Sequence, residues 1–108
     1  MSEDIQSRIE SLFLSYRESL PSLIEELELM WKKISLQWDA DLAAEFDRKV
    51  HSLAGSAATF KMTEIGEIAR ELEAAFKPLL NERDDDVRQE KTEQLLFKLK
   101  QLIESSAN

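Results

Sequence analysis

The sequence contains no cysteine and only two glycines and two prolines among its 108 residues. The absence of cysteine excludes disulfide scaffolds, thiol catalysis and cysteine-based zinc sites. It suits a reducing compartment, and we expect the chain to be cytoplasmic. The small number of glycines and prolines argues against a β-sandwich or a β-barrel, because those folds need many turn residues.

The chain also lacks a positive net charge and long apolar runs. Its formal charge is −8, from 14 basic and 22 acidic side chains, and such a surface repels nucleic acid phosphates and anionic lipids. No apolar run approaches the ~18 residues that a membrane span needs, and the opening segment MSEDIQSRIE does not resemble a signal peptide. We therefore expect neither nucleic acid nor a membrane as the partner, whereas a protein with a basic docking rim is compatible.

Apolar residues make up 43% of the chain, which is enough for one core and indicates a single domain over residues 1–108. Their helical spacing predicts five helices, and Pro21 is expected to separate the first from the second. The predicted ranges are Glu3–Ser19, Pro21–Leu36, Ala40–Phe60, Glu64–Leu80 with a kinked or frayed end at Pro78, and a fifth helix that follows the charged loop Asn81–Asp86 and ends at about Ser105. Short loops favour antiparallel neighbours, so the predicted fold is all-α: a monomeric, antiparallel four-helix bundle with an additional N-terminal helix.

His51 is the only histidine, and it lies opposite the apolar stripe of the third predicted helix. That stripe consists of Leu42, Phe46, Val50, Leu53, Ala57 and Phe60. At about 100° per residue, His51 lies about 145° from the centre of the stripe, so we expect its imidazole to face solvent. A metal-ligand role is disfavoured, because Asp47 is the one carboxylate nearby and a single carboxylate with a single histidine makes a poor site.

The residues around His51 are unusually small for an exposed helix face. Small side chains let another backbone approach closely, and Gly55 even costs about 1 kcal/mol of helix propensity relative to alanine. We interpret this strip as a platform on which a protein partner places an element directly over the imidazole. The candidate docking and support residues, one or two turns from His51, are Ala44, Asp47, Arg48, Ala54, Gly55 and Ala58.

The segment from Val50 to Phe60 reads Val-His-Ser-Leu-Ala-Gly-Ser-Ala-Ala-Thr-Phe, and Ile65, Leu72 and Glu73 follow it. This pattern resembles the signature of histidine phosphotransfer (HPt) domains. In that family His-x-Leu-Lys-Gly-Ser-Ala lies in the middle of a helix, and a leucine-glutamate pair closes the next helix. The resemblance covers the motif closely and the helical layout over almost the whole chain.

The resemblance implies a phosphocarrier of a two-component phosphorelay rather than an enzyme. Nε2 of His51 would carry a phosphoryl group between receiver-domain aspartates, or from a histidine kinase to a response regulator. The partner would be the receiver domain of a response regulator or of a hybrid histidine kinase. That partner would hold the Mg²⁺, so we expect no cofactor or metal on this chain. Imidazole in general suits this chemistry, because much of it is neutral and nucleophilic near pH 7.

Two positions depart from the family pattern. Ala54 stands where the family usually has a lysine that helps to neutralise the phosphoryl oxygens, and Lys61 stands where it often has a glycine. By helical angle, Arg48 is the better placed substitute cation. The alternative hypothesis is a non-catalytic helical adaptor that binds receiver or kinase domains. An enzyme of another class has almost no support, since no second catalytic group is predicted near His51.

Overall fold

The computed structural model describes residues 2–106, with side chains from residue 4 onward. This part of the chain contains no β-strand. Its elements are α1 (Ser2–Leu36), α2 (Ala40–Thr59), α3 (Thr63–Phe76), a 3₁₀ turn (Lys77–Leu80) and α4 (Asp86–Ser106). The predicted all-α four-helix bundle is confirmed. Over the same residues, no helix has both the length and the apolar character needed to cross a membrane.

Each helix of the bundle packs against two others. The neighbours of both α1 and α3 are α2 and α4, so the pairs α1–α3 and α2–α4 lie across the diagonals. The centre of the core holds Phe46 of α2, Phe76 of α3 and Trp31 of α1. The two phenylalanine ring centroids lie 4.6 Å apart, and the Trp31 and Phe76 centroids lie 6.1 Å apart. Because α2 and α3 are neighbours, residues on their adjoining edges form one continuous surface.

The prediction that the helix breaks at Pro21 was wrong, because α1 continues through this residue. A proline in a helix interior removes one backbone hydrogen bond and costs about 3 kcal/mol. Leu20 and Ile24, on either side of Pro21, are both buried in the core, and their packing favours one continuous helix. The additional N-terminal helix is therefore present as the first half of α1 and not as a separate element.

This first half of α1 extends beyond the bundle. A helix of 35 residues is about 52 Å long, which accounts for the longest dimension of the molecule, 55 Å against 24 and 19 Å. Phe13 and Tyr16 hold the extension against the end of α2, with ring centroids 5.3 and 4.3 Å from that of Phe60. Ile5 and Ile9, nearer the start of the helix, are exposed.

The turn between α2 and α3 is tight because Lys61 adopts a left-handed backbone conformation, with a φ of 61°. The N–H of Lys61 donates to the carbonyl of Ala58, and the N–H of Met62 donates to the carbonyl of Ala57. These two bonds close the end of α2. Glycine adopts a positive φ without steric cost, so the backbone of this turn would accommodate glycine at position 61 more easily than lysine.

The end of α3 is weakened at Pro78, as the sequence predicts. The regular helix stops at Phe76, and the chain tightens into the 3₁₀ turn Lys77–Leu80. Proline favours this stop because it lacks the N–H that would continue the helical hydrogen bonding. Lys77 is therefore held at the junction of α3 and the 3₁₀ turn, and its side chain lies near Glu73 of α3.

Candidate functional site

The imidazole of His51 projects into solvent from the middle of α2. Its side chain is 74% exposed, whereas Val50 and Leu53 beside it are buried in the core. This alternation follows from the helical period, which turns the apolar stripe inward and the opposite side outward. The predicted exposure of His51 is confirmed.

A carboxylate of α3 holds one edge of the ring. Nδ1 of His51 lies 2.7 Å from Oε2 of Glu73, whose side chain is only 17% exposed. An ionised carboxylate can only accept hydrogen bonds, so Nδ1 carries the ring proton and donates it to Glu73. Nε2, on the opposite edge of the ring, is then left with a free lone pair and is available as a nucleophile.

Small residues allow α3 to approach α2 closely enough for this contact. A Cβ added to Gly66 of α3 would lie 3.4 Å from the carbonyl oxygen of Ala54 and 3.5 Å from the Cβ of Ala57. Larger side chains at this contact would push the two helices apart. A methyl group at position 66 would meet these atoms at ordinary van der Waals distances, so the spacing of the helices, and with it the distance from His51 to Glu73, depends on side chains no larger than alanine at this contact.

Ala54 is the one residue of the predicted platform that the structure buries. Its exposed fraction is 4%, because the flank of α2 that carries it packs against Gly66 of α3. The expectation that Ala54 lies on the exposed strip beside His51 was wrong. The helical wheel of α2 alone does not show where a neighbouring helix covers it, and alanine suits a surface and a core equally.

The rest of the predicted strip is accessible to a partner. Ala44, Gly55 and Ala58 are exposed, and no described atom of another helix lies within 4 Å of a Cβ added to Gly55. Arg48 is also exposed, and it lines a groove on the side of α2 that faces α1. The strip is therefore open and shallow next to the imidazole, while its role in docking stays a prediction.

Asp47 lies one turn before His51, on the flank of α2 that faces α3. Its Oδ1 atom is buried and has no hydrogen-bond partner among the described residues. Burial raises the pKa of Asp47, and the nearby Glu73 carboxylate raises it further, while Lys77 and His51 act in the opposite direction. The folded chain therefore holds this carboxylate in its charged form at a cost.

We expect Asp47→Asn to increase the stability of the fold at pH 7, by on the order of 1 kcal/mol. The pKa of Asp47 in the folded chain lies above the ordinary value of 3.8, so the folded state binds more protons than the unfolded state just above that pH. The contribution of Asp47 to stability therefore decreases as the pH rises through this window, and the full penalty is present at neutral pH. Urea unfolding at pH 3 and pH 7 measures the difference.

The matched control for this experiment is Asp84→Asn, which removes an exposed carboxylate from the loop before α4. The gain from Asp47→Asn should disappear at pH 3, where both Asp47 and its replacement are neutral. A variant that is less stable than the parent at pH 7 would show that the charged carboxylate stabilises the fold.

Lys77 completes the set of charged residues at the adjoining edges of α2 and α3. Its Nζ atom lies 4.0 Å from Oε2 of Glu73, at the outer limit of an ion pair, and its side chain is 63% exposed. The sequence pattern did not indicate Lys77 as part of the site, and it predicted no contact between Glu73 and His51. The available signals were the spacing of Glu73 and Lys77, one turn apart in the fourth predicted helix, and the short turn that pairs this helix with the one that carries His51.

Within the described residues, no three His, Asp or Glu side chains are grouped so that they would hold a metal ion. The ligand-forming groups next to His51 are Asp47 and Glu73, and both are engaged with the imidazole and with Lys77 electrostatically.

Comparison with known protein families matches residues 11–108 to the Hpt domain. No curated protein and no solved structure gives a match to this chain. The matched region begins within the extended half of α1 and includes α2, α3 and α4, so it contains both sides of the site around His51. The chain belongs to the Hpt domain family, the histidine phosphotransfer modules of phosphorelays.

Proposed function

We propose that this chain accepts a phosphoryl group on Nε2 of His51 from a phosphorylated receiver domain and passes it to another receiver aspartate. The observation that carries the proposal is the 2.7 Å contact between Nδ1 of His51 and Oε2 of Glu73. The side chain of His51 is 74% exposed despite this contact. This contact selects the tautomer in which Nε2 is unprotonated, on a side chain that is largely exposed.

The transfer needs no general base on this chain. The lone pair of Nε2 forms the N–P bond while the bond from phosphorus to the receiver aspartate breaks, and the aspartate leaves with the electron pair. The ring keeps its Nδ1 proton and becomes positively charged, and the carboxylate of Glu73 stabilises that charge. The same steps in reverse return the phosphoryl group to a receiver aspartate.

The receiver domain would supply the acceptor aspartate and its Mg²⁺, and this chain would supply the nucleophile and the docking surface. Phosphoryl transfer depends mainly on positioning and charge neutralisation, which two proteins can assemble at their interface. The exposed Ala44, Gly55 and Ala58 allow an element of the partner to approach the ring. The net charge of −8 favours a partner with a basic rim over nucleic acid. We therefore propose a phosphocarrier and not an enzyme.

The second candidate function is an adaptor that binds receiver or kinase domains without phosphotransfer. Ala54 favours it, because the lysine that usually assists the phosphoryl group in this family is absent. The two functions differ in one measurable property, namely whether His51 becomes phosphorylated.

The test is incubation of the chain with radiolabelled phosphorylated receiver domains and, separately, with phosphoramidate, a small donor that phosphorylates histidine directly. A phosphocarrier should acquire a label that is stable in base, labile in acid and located on His51. A chain that binds receiver domains but acquires no such label from either donor is an adaptor.

A further inference from the structure

The site around His51 presents an electrostatic problem for the reaction proposed above. Two carboxylates, Asp47 and Glu73, lie beside the imidazole, and the incoming phosphoryl group is a dianion. The position that carries a lysine in related domains is Ala54, which is also buried. Repulsion between the carboxylates and the phosphoryl group is strong at such short range, so a cation is needed close to the ring.

Lys77 is the cation whose contacts meet this requirement. Its Nζ atom is 4.0 Å from the Glu73 oxygen that lies 2.7 Å from Nδ1 of His51, so the ammonium is within about 7 Å of the ring nitrogen. It also acts on Asp47, where its charge opposes the rise in the pKa of that carboxyl. Lys77 therefore interacts with both carboxylates of the site.

The Lys77 side chain is close to the site without being fixed in it. Its contact with Glu73 is at the outer limit of an ion pair, and the side chain is 63% exposed. Its backbone is held by the junction of α3 and the 3₁₀ turn. A flexible ammonium on a fixed backbone position can move toward phosphoryl oxygens on Nε2 without disturbing the helices.

The neighbouring cations of α2 are less well placed. Arg48 faces the groove between α2 and α1, with Glu45 among the residues that line it. Lys49 forms an ion pair of 3.0 Å with Glu26 of α1. Both therefore belong to the flank of α2 opposite the one that carries Asp47 and meets Glu73.

We propose that Lys77 is the charge-compensating residue of the phosphoacceptor site and takes the part that a lysine at position 54 has in related domains. The proposal rests on phosphorylation of His51, as proposed above. Lys77 offsets Asp47 and Glu73 and attracts the phosphoryl oxygens, so that an anionic donor can approach Nε2. It acts through its charge at short range and does not itself form a bond to the transferred group.

The experiment measures the rate at which phosphoramidate labels His51 in the full chain, which removes any effect of a receiver partner. Lys77→Ala should slow labelling by about tenfold at low ionic strength, and the loss should shrink at about 1 M salt, where the screening length falls to about 3 Å. Lys77→Arg should retain most of the parental rate. Lys98→Ala, an exposed lysine on α4 across the diagonal from α2, is the matched control and should leave the rate unchanged.

A second comparison separates a direct effect of Lys77 from one that passes through Glu73. In a Glu73→Gln background the ion pair between these residues is gone, so any remaining effect of Lys77→Ala does not pass through Glu73 and reflects its action on the phosphoryl group and on Asp47. We expect a several-fold loss in rate to remain in this background, and the absence of any further loss would overturn the proposal.

Equal labelling rates of the parent chain and Lys77→Ala would also overturn the proposal, while leaving the phosphocarrier function in place. A parent chain that is not labelled at all would refute the phosphocarrier function, and this proposal with it.

Discussion

His51→Gln should remove all phosphorylation of the chain and leave its fold intact. Glutamine fills a similar space but has no nucleophilic nitrogen, and the described structure places no other imidazole near the site. The side chain at this position is 74% exposed, so the substitution should change the free energy of unfolding by no more than about 0.5 kcal/mol. Labelling by phosphoramidate and by phosphorylated receiver domains measures the first effect, and thermal unfolding followed by circular dichroism measures the second.

Ser52→Ala is the control for this experiment, since Ser52 is the exposed hydroxyl residue next to His51. It should label at the parental rate, with the same sensitivity to acid. Label retained by His51→Gln would mean that the phosphoacceptor is another residue. A stable label in acid would point to a hydroxyl group such as that of Ser52.

Gly55→Gln should increase the stability of the fold and at the same time slow phosphoryl transfer from a receiver domain. Glycine is an unfavourable residue in a helix interior, so glutamine should stabilise the fold by up to about 1 kcal/mol. No described atom of another helix lies within 4 Å of a Cβ at this position, so the larger side chain meets no obstacle from the rest of the bundle. It would nevertheless project beside His51, where a receiver domain must approach. Transfer from a receiver should therefore fall by at least about tenfold.

Gly55→Ala is the matched control, because alanine also improves helix propensity but adds only a methyl group. It should be stabilised and should still accept the phosphoryl group from a receiver. Phosphoramidate is small enough to reach the ring past either side chain, so it should label both variants at the parental rate. Unchanged receiver binding by Gly55→Gln would show that Gly55 lies outside the docking surface.

The outward direction of His51 and the bundle itself could be predicted from the sequence, because both depend on local regularities. The apolar stripe of α2 has one centre, and a residue about 145° from it must face away from the core whatever the other helices do. The same stripe spacing and the short loops specify antiparallel helices. The weakened end of α3 at Pro78 also follows from local geometry, since a proline changes the hydrogen bonding of its own turn.

The parts that could not be predicted depend on how one helix meets another. Ala54 lies on the edge of the exposed side of α2, and only the approach of Gly66 from α3 makes it a buried residue. The contact of Glu73 with His51 and the place of Lys77 depend on the relative positions of α2 and α3, which a helical wheel of either helix does not contain. The motif resemblance included Glu73 but assigned it no contact.

At Pro21 the local preference for ending a helix is overridden by packing, and α1 continues through this residue. The rule that proline ends a helix reflects the loss of one hydrogen bond and a steric conflict with the preceding turn. In α1 the burial of Leu20 and Ile24, on either side of Pro21, stabilises the fold by more than this loss destabilises it. Both side chains reach the core when the helix continues through Pro21. The balance between these two effects is set by tertiary contacts that the sequence does not display.

The tight turn at Lys61 makes the length of the connection between α2 and α3 a determinant of the chemistry. In an antiparallel hairpin, a residue one turn earlier in the first helix is opposite a residue one turn later in the second. Asp47 lies one turn before His51 and Lys77 one turn after Glu73, so the register that brings His51 to Glu73 also brings Asp47 near Lys77. One residue inserted after Phe60 would rotate α3 by about 100° relative to α2 and separate both pairs together. Insertions and deletions in this turn should therefore be tolerated far less well than substitutions, although the turn lies well away from the imidazole.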